Sequence, residues 1–177
     1  FNHVTIMKQM IQIRCKNNKK TLNVEIGSTL SDVFRKLNIS MPYGPISAKV
    51  NNKVEGMHFR AYRDKDVEFL DMTSGSGSRC YTRTLFFILC KAVHDLYPCS
   101  RVVIDIPVSN GYYVNLAIGH DITDDDTARI RKRMQEIIDA KIDIHRHEVP
   151  TEDAVRMFAE KGDSAKVKLL KSYGRLY

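Results

Sequence analysis

His145 and His147 flank Arg146, and alternate residues of an extended strand share a face, so both imidazoles can point the same way. Paired imidazoles suit zinc only with further donors, and no Cys, Asp or Glu stands at a telling spacing to supply them. An ordinary strand surface is the expectation, and His94, ahead of Pro98, reads as a surface residue. Cys15, Cys80, Cys90 and Cys99 show no C-x-x-C pair, which points to free thiols in a reducing cytoplasm, with Cys90 a small buried hydrophobe. Gly75 and Gly77 are too close together for a G-x-x-x-x-G-K-[ST] loop, no Lys follows them, and no helix is expected to start there. No G-x-S-x-G nucleophile turn occurs either. No catalytic residue, metal site or cofactor is therefore expected within this chain.

The remaining polar chemistry is cationic. Lys16, Lys19 and Lys20 cluster at one predicted turn, and Arg129, Arg131, Lys132 and Arg133 on one predicted helix. Both are candidates for contact with nucleic-acid phosphates, weighed against a solvated helix face balanced by Asp124–Asp126. Tyr43, Tyr62, Tyr112 and Tyr113 are candidates for stacking on bases, although the last two read better as a strand pair with one ring in the core. The formal net charge is +7, and 12 of the 28 basic but only 7 of the 21 acidic residues lie in residues 1–72. A basic first half favours RNA or a nucleotide as partner.

The elements that must position these residues follow from periodicity. Met10–Cys15 and Thr21–Ile26 alternate apolar and polar residues around a turn at Lys16–Lys19, which predicts a hairpin. Thr29 and Asp32 form a capping box ahead of Leu30, Val33, Phe34 and Leu37, one helical face. Pro42, Gly44 and Pro45 end that element, and Ser47–Val50 and Val67–Leu70 read as strands. Composition then changes at Thr73–Arg79, a Gly/Ser stretch of the flexible-linker kind. The expected organisation is a domain over 1–72, a linker over 73–79 and a domain over 80–177, cut short at its C-terminal end.

In the second domain Leu85, Ile88, Leu89, Ala92, Val93 and Leu96 form a helical stripe stopped by Pro98. Arg101–Ile106 and Tyr112–Ile118 read as paired strands joined at Ser109–Gly111. Thr123 opens a helix with Asp124, Asp125 and Asp126 in its first turn and Ile130, Met134, Ile137 and Ile138 inward. Ile142–Val149 reads as a strand, Thr151 as the cap of a further helix and Gly162 as its end. The fold class is α+β. The longest apolar run, Leu85–Val93, is broken by Lys91 and too short for a bilayer, and the first residues do not read as a signal peptide, so the expected location is the cytoplasm with no membrane partner.

Gly27–Leu30 (GSTL), Ala48–Asn51 (AKVN) and Asp66–Leu70 (DVEFL) resemble the TGS domain, a ubiquitin-like β-grasp module. The segments NGYYVNLAI, DITDDDTARIRKRMQEI and HEVPTEDAVRMFAEKGDSAKVKLL resemble the second additional, editing-type domain of threonyl-tRNA synthetase. That resemblance implies an H-x-x-x-H pair on a helix, for metal or water handling near an ester. Arg83 and Phe87 stand at those positions. A guanidinium stays protonated and a phenyl ring has no donor atom, so the editing site is degenerate. The family's second ligand cluster, a Cys and a His, would lie beyond Tyr177.

LDMTSGSGSRCYTRTLFFILCKAVHDLYP and NGYY resemble a bacterial class of uridine kinase-like proteins, in which the same two domains precede a P-loop kinase domain. This resemblance implies a non-catalytic regulatory or RNA- or nucleotide-sensing part. Its parent would phosphorylate uridine or cytidine with ATP and Mg²⁺, and its partner would be a C-terminal kinase domain of the same polypeptide. The alternative is a threonyl-tRNA synthetase-related fragment, or a tRNA-binding module that has lost its editing site.

Overall fold

Alternate burial along β1 (Met10–Cys15) sends Ile11, Ile13 and Cys15 into the core, as its sequence pattern requires. The computed structural model describes residues 9–109, 111–145 and 147–173. The chain divides into two units, Phe1–Asp139 and Ala140–Tyr177.

In the first unit, β1 pairs antiparallel with β2 (Thr21–Glu25) across a turn in which Lys19 takes a positive φ of 56°. Asn17 fastens that turn to the sheet: its side-chain amide donates to the Phe69 carbonyl (3.0 Å) and accepts from the Phe69 N–H (2.7 Å). The short β3 (Ser28–Thr29) leads into α1 (Leu30–Leu37), whose capping box is formed by Thr29 and Asp32 as expected. Leu30, Val33 and Leu37 are buried, and Phe34 meets Phe69 edge-on at 5.0 Å between ring centroids.

β4 (Ser47–Val50) and β5 (Lys53–Gly56) form a second hairpin, closed by Asn51 and Asn52, both at positive φ. Such primed turns match the twist of the strands they join. β6 (Arg60–Ala61) pairs with β3, and β7 (Lys65–Leu70) completes a five-stranded mixed sheet in the order β2-β1-β7-β4-β5. β1 and β7 run parallel, and the other neighbours are antiparallel. α1 and one sheet face enclose the main core.

The Gly/Ser run is not a linker. It is the first turn of α2 (Gly75–Leu96), capped by Ser74, whose hydroxyl accepts from the Gly77 N–H at 3.1 Å. Gly77 is buried because the helix start lies hard against the Asp71 carbonyl, and a side chain there would have no room. The glycine is required by close approach, which composition alone cannot distinguish from flexibility. The buried Asp71 carboxylate accepts from the Thr73 backbone and hydroxyl, which pushes its pKa down.

β8 (Arg101–Val108) and β9 (Gly111–Ala117) form a separate hairpin with a bulge between Ile104 and Pro107, and Asn110 lies outside the described residues. α3 (Asp124–Asp139) packs along α2, burying Ile130 and Ile137, while Ala92 and Val93 are buried on α2. The second unit contains α4 (Thr151–Glu160) and α5 (Ser164–Tyr173). Ile142–Val149, expected as a strand, is not assigned to one over its described residues, and Arg146 lies outside them. Pro150, not Thr151, stands at the N-cap of α4, and no side chain caps it. Gly162 follows α4 at a positive φ of 72°, as expected of a helix stop. The fold class is α+β, and no helix among the described residues is long and apolar enough to cross a membrane.

Candidate functional site

α2 carries Arg83 and Phe87 one turn apart, and both are exposed, Phe87 to 63%. Neither side chain can ligate a metal or take a proton at neutral pH. The neighbouring Phe86 meets Tyr112 of β9 edge-on, with ring centroids 4.8 Å apart. Tyr112 and Tyr113 are both exposed, so neither ring enters the core as expected, and Tyr43 and Tyr62 are exposed too. Cys90 is half-buried, and only Cys15 of the free cysteines is fully buried.

The four cations of α3 separate into two pairs. Arg129 donates to the Asp126 carboxylate (2.7 Å) and lies 3.5 Å from Asp125. Arg133 is held by Asp95 of α2 (2.8 Å) and Glu136 (2.9 Å). These carboxylates push both arginines up in pKa. Asp95 is pulled down by Lys91 and then by Arg133. Arg131 and Lys132 are exposed and make no ion pair among the described residues, so of this group they are the two open to a phosphate.

Lys16, Lys19 and Lys20 also come together. With Arg14, Cys15, Thr21 and Asp66 they line a shallow concavity of about 430 Å³ at the tip of the first hairpin. Arg14 is neutralised by Asp66 at 2.6 Å, and Lys16 reaches the Asn52 side-chain oxygen at 3.2 Å. His145 and His147 have ring centroids 6.4 Å apart, and both are exposed. Among the described residues no group of three or more His, Cys, Asp or Glu is placed to hold a metal ion.

A polar cluster centred on Asp126 is not evident from the sequence. The buried Asp126 carboxylate accepts from the Tyr97 hydroxyl (2.5 Å), the Thr123 N–H (3.1 Å) and hydroxyl (2.9 Å), Arg129, and Nε2 of His120 (2.9 Å). Those donors, the Tyr97 hydroxyl foremost, hold its pKa well below the ordinary carboxylate range, and Asp126 in turn pushes the Tyr97 hydroxyl up. An ionised carboxylate only accepts, so His120 must carry its proton on Nε2. The cluster joins the end of α2, the exit of β9 and the start of α3. Only Thr123 and Asp126, three apart before a helix, signal it in the sequence, as a reciprocal cap.

No family model matches the chain. It is 32% identical over 162 residues to the threonine–tRNA ligase of Clostridium kluyveri, covering 92% of this chain and 25% of that protein. The threonine–tRNA ligase of Clostridium tetani is 28% identical over 161 residues, 91% of this chain and 25% of the ligase. That of Clostridioides difficile is 25% identical over 142 residues, 80% and 22% respectively. The chain spans about a quarter of the length of the curated relatives it matches. These relatives overturn the expectation of a uridine kinase parent and of a C-terminal kinase domain as partner, because the similarity runs across most of the chain to tRNA ligases.

Proposed function

We propose that this chain is the N-terminal portion of a threonyl-tRNA synthetase-related protein that contacts tRNA and does not hydrolyse its aminoacyl ester. The observation that carries the reading is the similarity to threonine–tRNA ligases over 92% of the chain, combined with Arg83 and Phe87 on the exposed face of α2. The first part of the reading is a TGS-type β-grasp module. It is supported by the hairpin, single helix and mixed sheet ordered β2-β1-β7-β4-β5. The second part is an editing-type scaffold without its imidazole pair.

Water attack on an aminoacyl ester needs a base or a metal to generate the nucleophile. Arg83 offers a fixed positive charge and five donors, which bind phosphate or carboxylate but take no proton. Phe87 offers an exposed ring. A helix of this kind can hold a tRNA end against a cation and an aromatic face, without chemistry. On α3, Arg131 and Lys132, exposed and without an ion pair among the described residues, supply the phosphate contacts.

Fluorescence anisotropy of labelled threonine tRNA across a salt series tests the binding half. Affinity should fall with rising salt, and Arg131→Gln with Lys132→Gln should lower the slope of log affinity against log salt by about 1 to 2, one increment per lost phosphate contact. A slope identical in parent and variant would remove α3 from the interface.

A further inference from the structure

Three lysines crowd the tip of the β1–β2 hairpin with no acidic partner among the described residues. The concavity there holds Arg14, Lys16, Lys19 and Lys20 against the single carboxylate of Asp66. Asp66 is spent on Arg14, so Lys16, Lys19 and Lys20 are uncompensated. The Lys16 ammonium donates to a neutral amide oxygen, that of Asn52, at 3.2 Å. Like charges lining one concavity repel one another.

The backbone beneath them is rigidly specified. Cys15 N–H donates to the Lys20 carbonyl at 2.8 Å, and Lys16 N–H donates to Val67 at 2.8 Å. Asn18 accepts from the Lys20 N–H at 3.1 Å, and the Asn17 amide binds both backbone groups of Phe69. The turn even places Lys19 at a positive φ of 56°, a conformation unfavourable for a side chain of its size. An ordered, concave group of uncompensated ammonium groups is suited to a run of phosphates.

We infer that the β1–β2 hairpin tip binds the phosphodiester backbone of RNA through Lys16, Lys19 and Lys20. This deepens the RNA-binding reading above and rests on it only for the class of partner. Ammonium groups act as point charges with no base-edge readout, so the contact is independent of sequence.

The probe is a labelled oligouridylate, which is unstructured and presents a phosphodiester backbone without the folded shape of tRNA. For single strands the salt slope is about 0.7 per phosphate, so three contacts contribute about 2. A fourfold rise in salt should then weaken the parent about 20-fold through this site alone. Replacing all three lysines with alanine should reduce the slope by about 2, and replacing them with arginine should retain it. All three side chains are exposed, so circular dichroism should show both variants folded like the parent. Equal slopes in parent and alanine variant would overturn the site, as would no binding of the oligonucleotide by the parent at low salt. Saturable binding of ATP with no binding of RNA would also overturn it, assigning the lysines to a free nucleotide. Loss of threonine-tRNA binding with the oligonucleotide contact intact would instead sink the reading of the preceding section and leave this one standing.

Discussion

Replacing Gly77 with alanine separates a flexible linker from a packed helix start. In an exposed helix interior Gly→Ala stabilises by about 1 kcal/mol, because the unfolded chain loses freedom. At Gly77 a Cβ would sit 1.8 Å from the Asp71 carbonyl oxygen, 2.7 Å from its carbonyl carbon and 2.9 Å from the Ser74 hydroxyl. Two of those atoms are backbone and cannot rotate away, and the third is the cap of α2. Relief requires moving the helix start, an overpacking cost of about 1–3 kcal/mol, and weakens the cap, worth about 1 kcal/mol. After the propensity gain the expected net loss is about 1–3 kcal/mol. At Gly75 the nearest atom is the flexible end of Arg79 at 3.9 Å, so Gly75→Ala should be neutral or stabilising by up to about 1 kcal/mol. Thermal melts by far-ultraviolet circular dichroism read both, at about 2–4 °C per kcal/mol for a chain of this size. A Gly77→Ala melt equal to or above the parent would refute the close contact and restore the linker.

Asn17→Ala should cost about 2 kcal/mol in urea unfolding, because it strips the Phe69 N–H and carbonyl of their partner; an unchanged midpoint would show that water replaces the amide. Thr123→Ala should cost about 1 kcal/mol through loss of the α3 cap, read as a lower melting temperature. The folded Asp126 carboxyl lies below its ordinary value of 3.8, so its contribution is complete above that pH and is lost as pH falls below it. Melting temperature followed downward from about pH 5 should therefore drop, and Asp126→Asn should make the drop shallower. Parallel curves for parent and variant would remove Asp126 from the acid response.

Local signals were legible, and non-local ones were not. The α1 face of Leu30, Val33, Phe34 and Leu37, with its Thr29–Asp32 cap, is written within a few residues, and the structure has it there. β5 escaped notice because Lys53–Gly56 is short and polar, although Asn51-Asn52 is a hairpin turn signal. Gly77 resembles a linker residue until the Asp71 carbonyl beside it is known. Ile142–Val149 alternates like a strand, but alternation does not supply a pairing partner. The four-cation run on α3 looks uniform in sequence. Arg133 is nonetheless spent on Asp95, 38 positions away, and Arg129 on a carboxylate that Tyr97 also reaches from 29 positions away. The parent family was the largest correction, since similarity over 92% of the chain to a tRNA ligase displaced the kinase reading.

The most direct measurement incubates the chain with threonine tRNA carrying a non-cognate amino acid, following ester hydrolysis and complex formation in the same samples. Salt-sensitive complex formation with amino-acid release no faster than in buffer is the result predicted for a scaffold bearing Arg83 and Phe87. Release accelerated in proportion to the amount of chain added would contradict it, and would show that the fold carries hydrolytic chemistry without the imidazole pair.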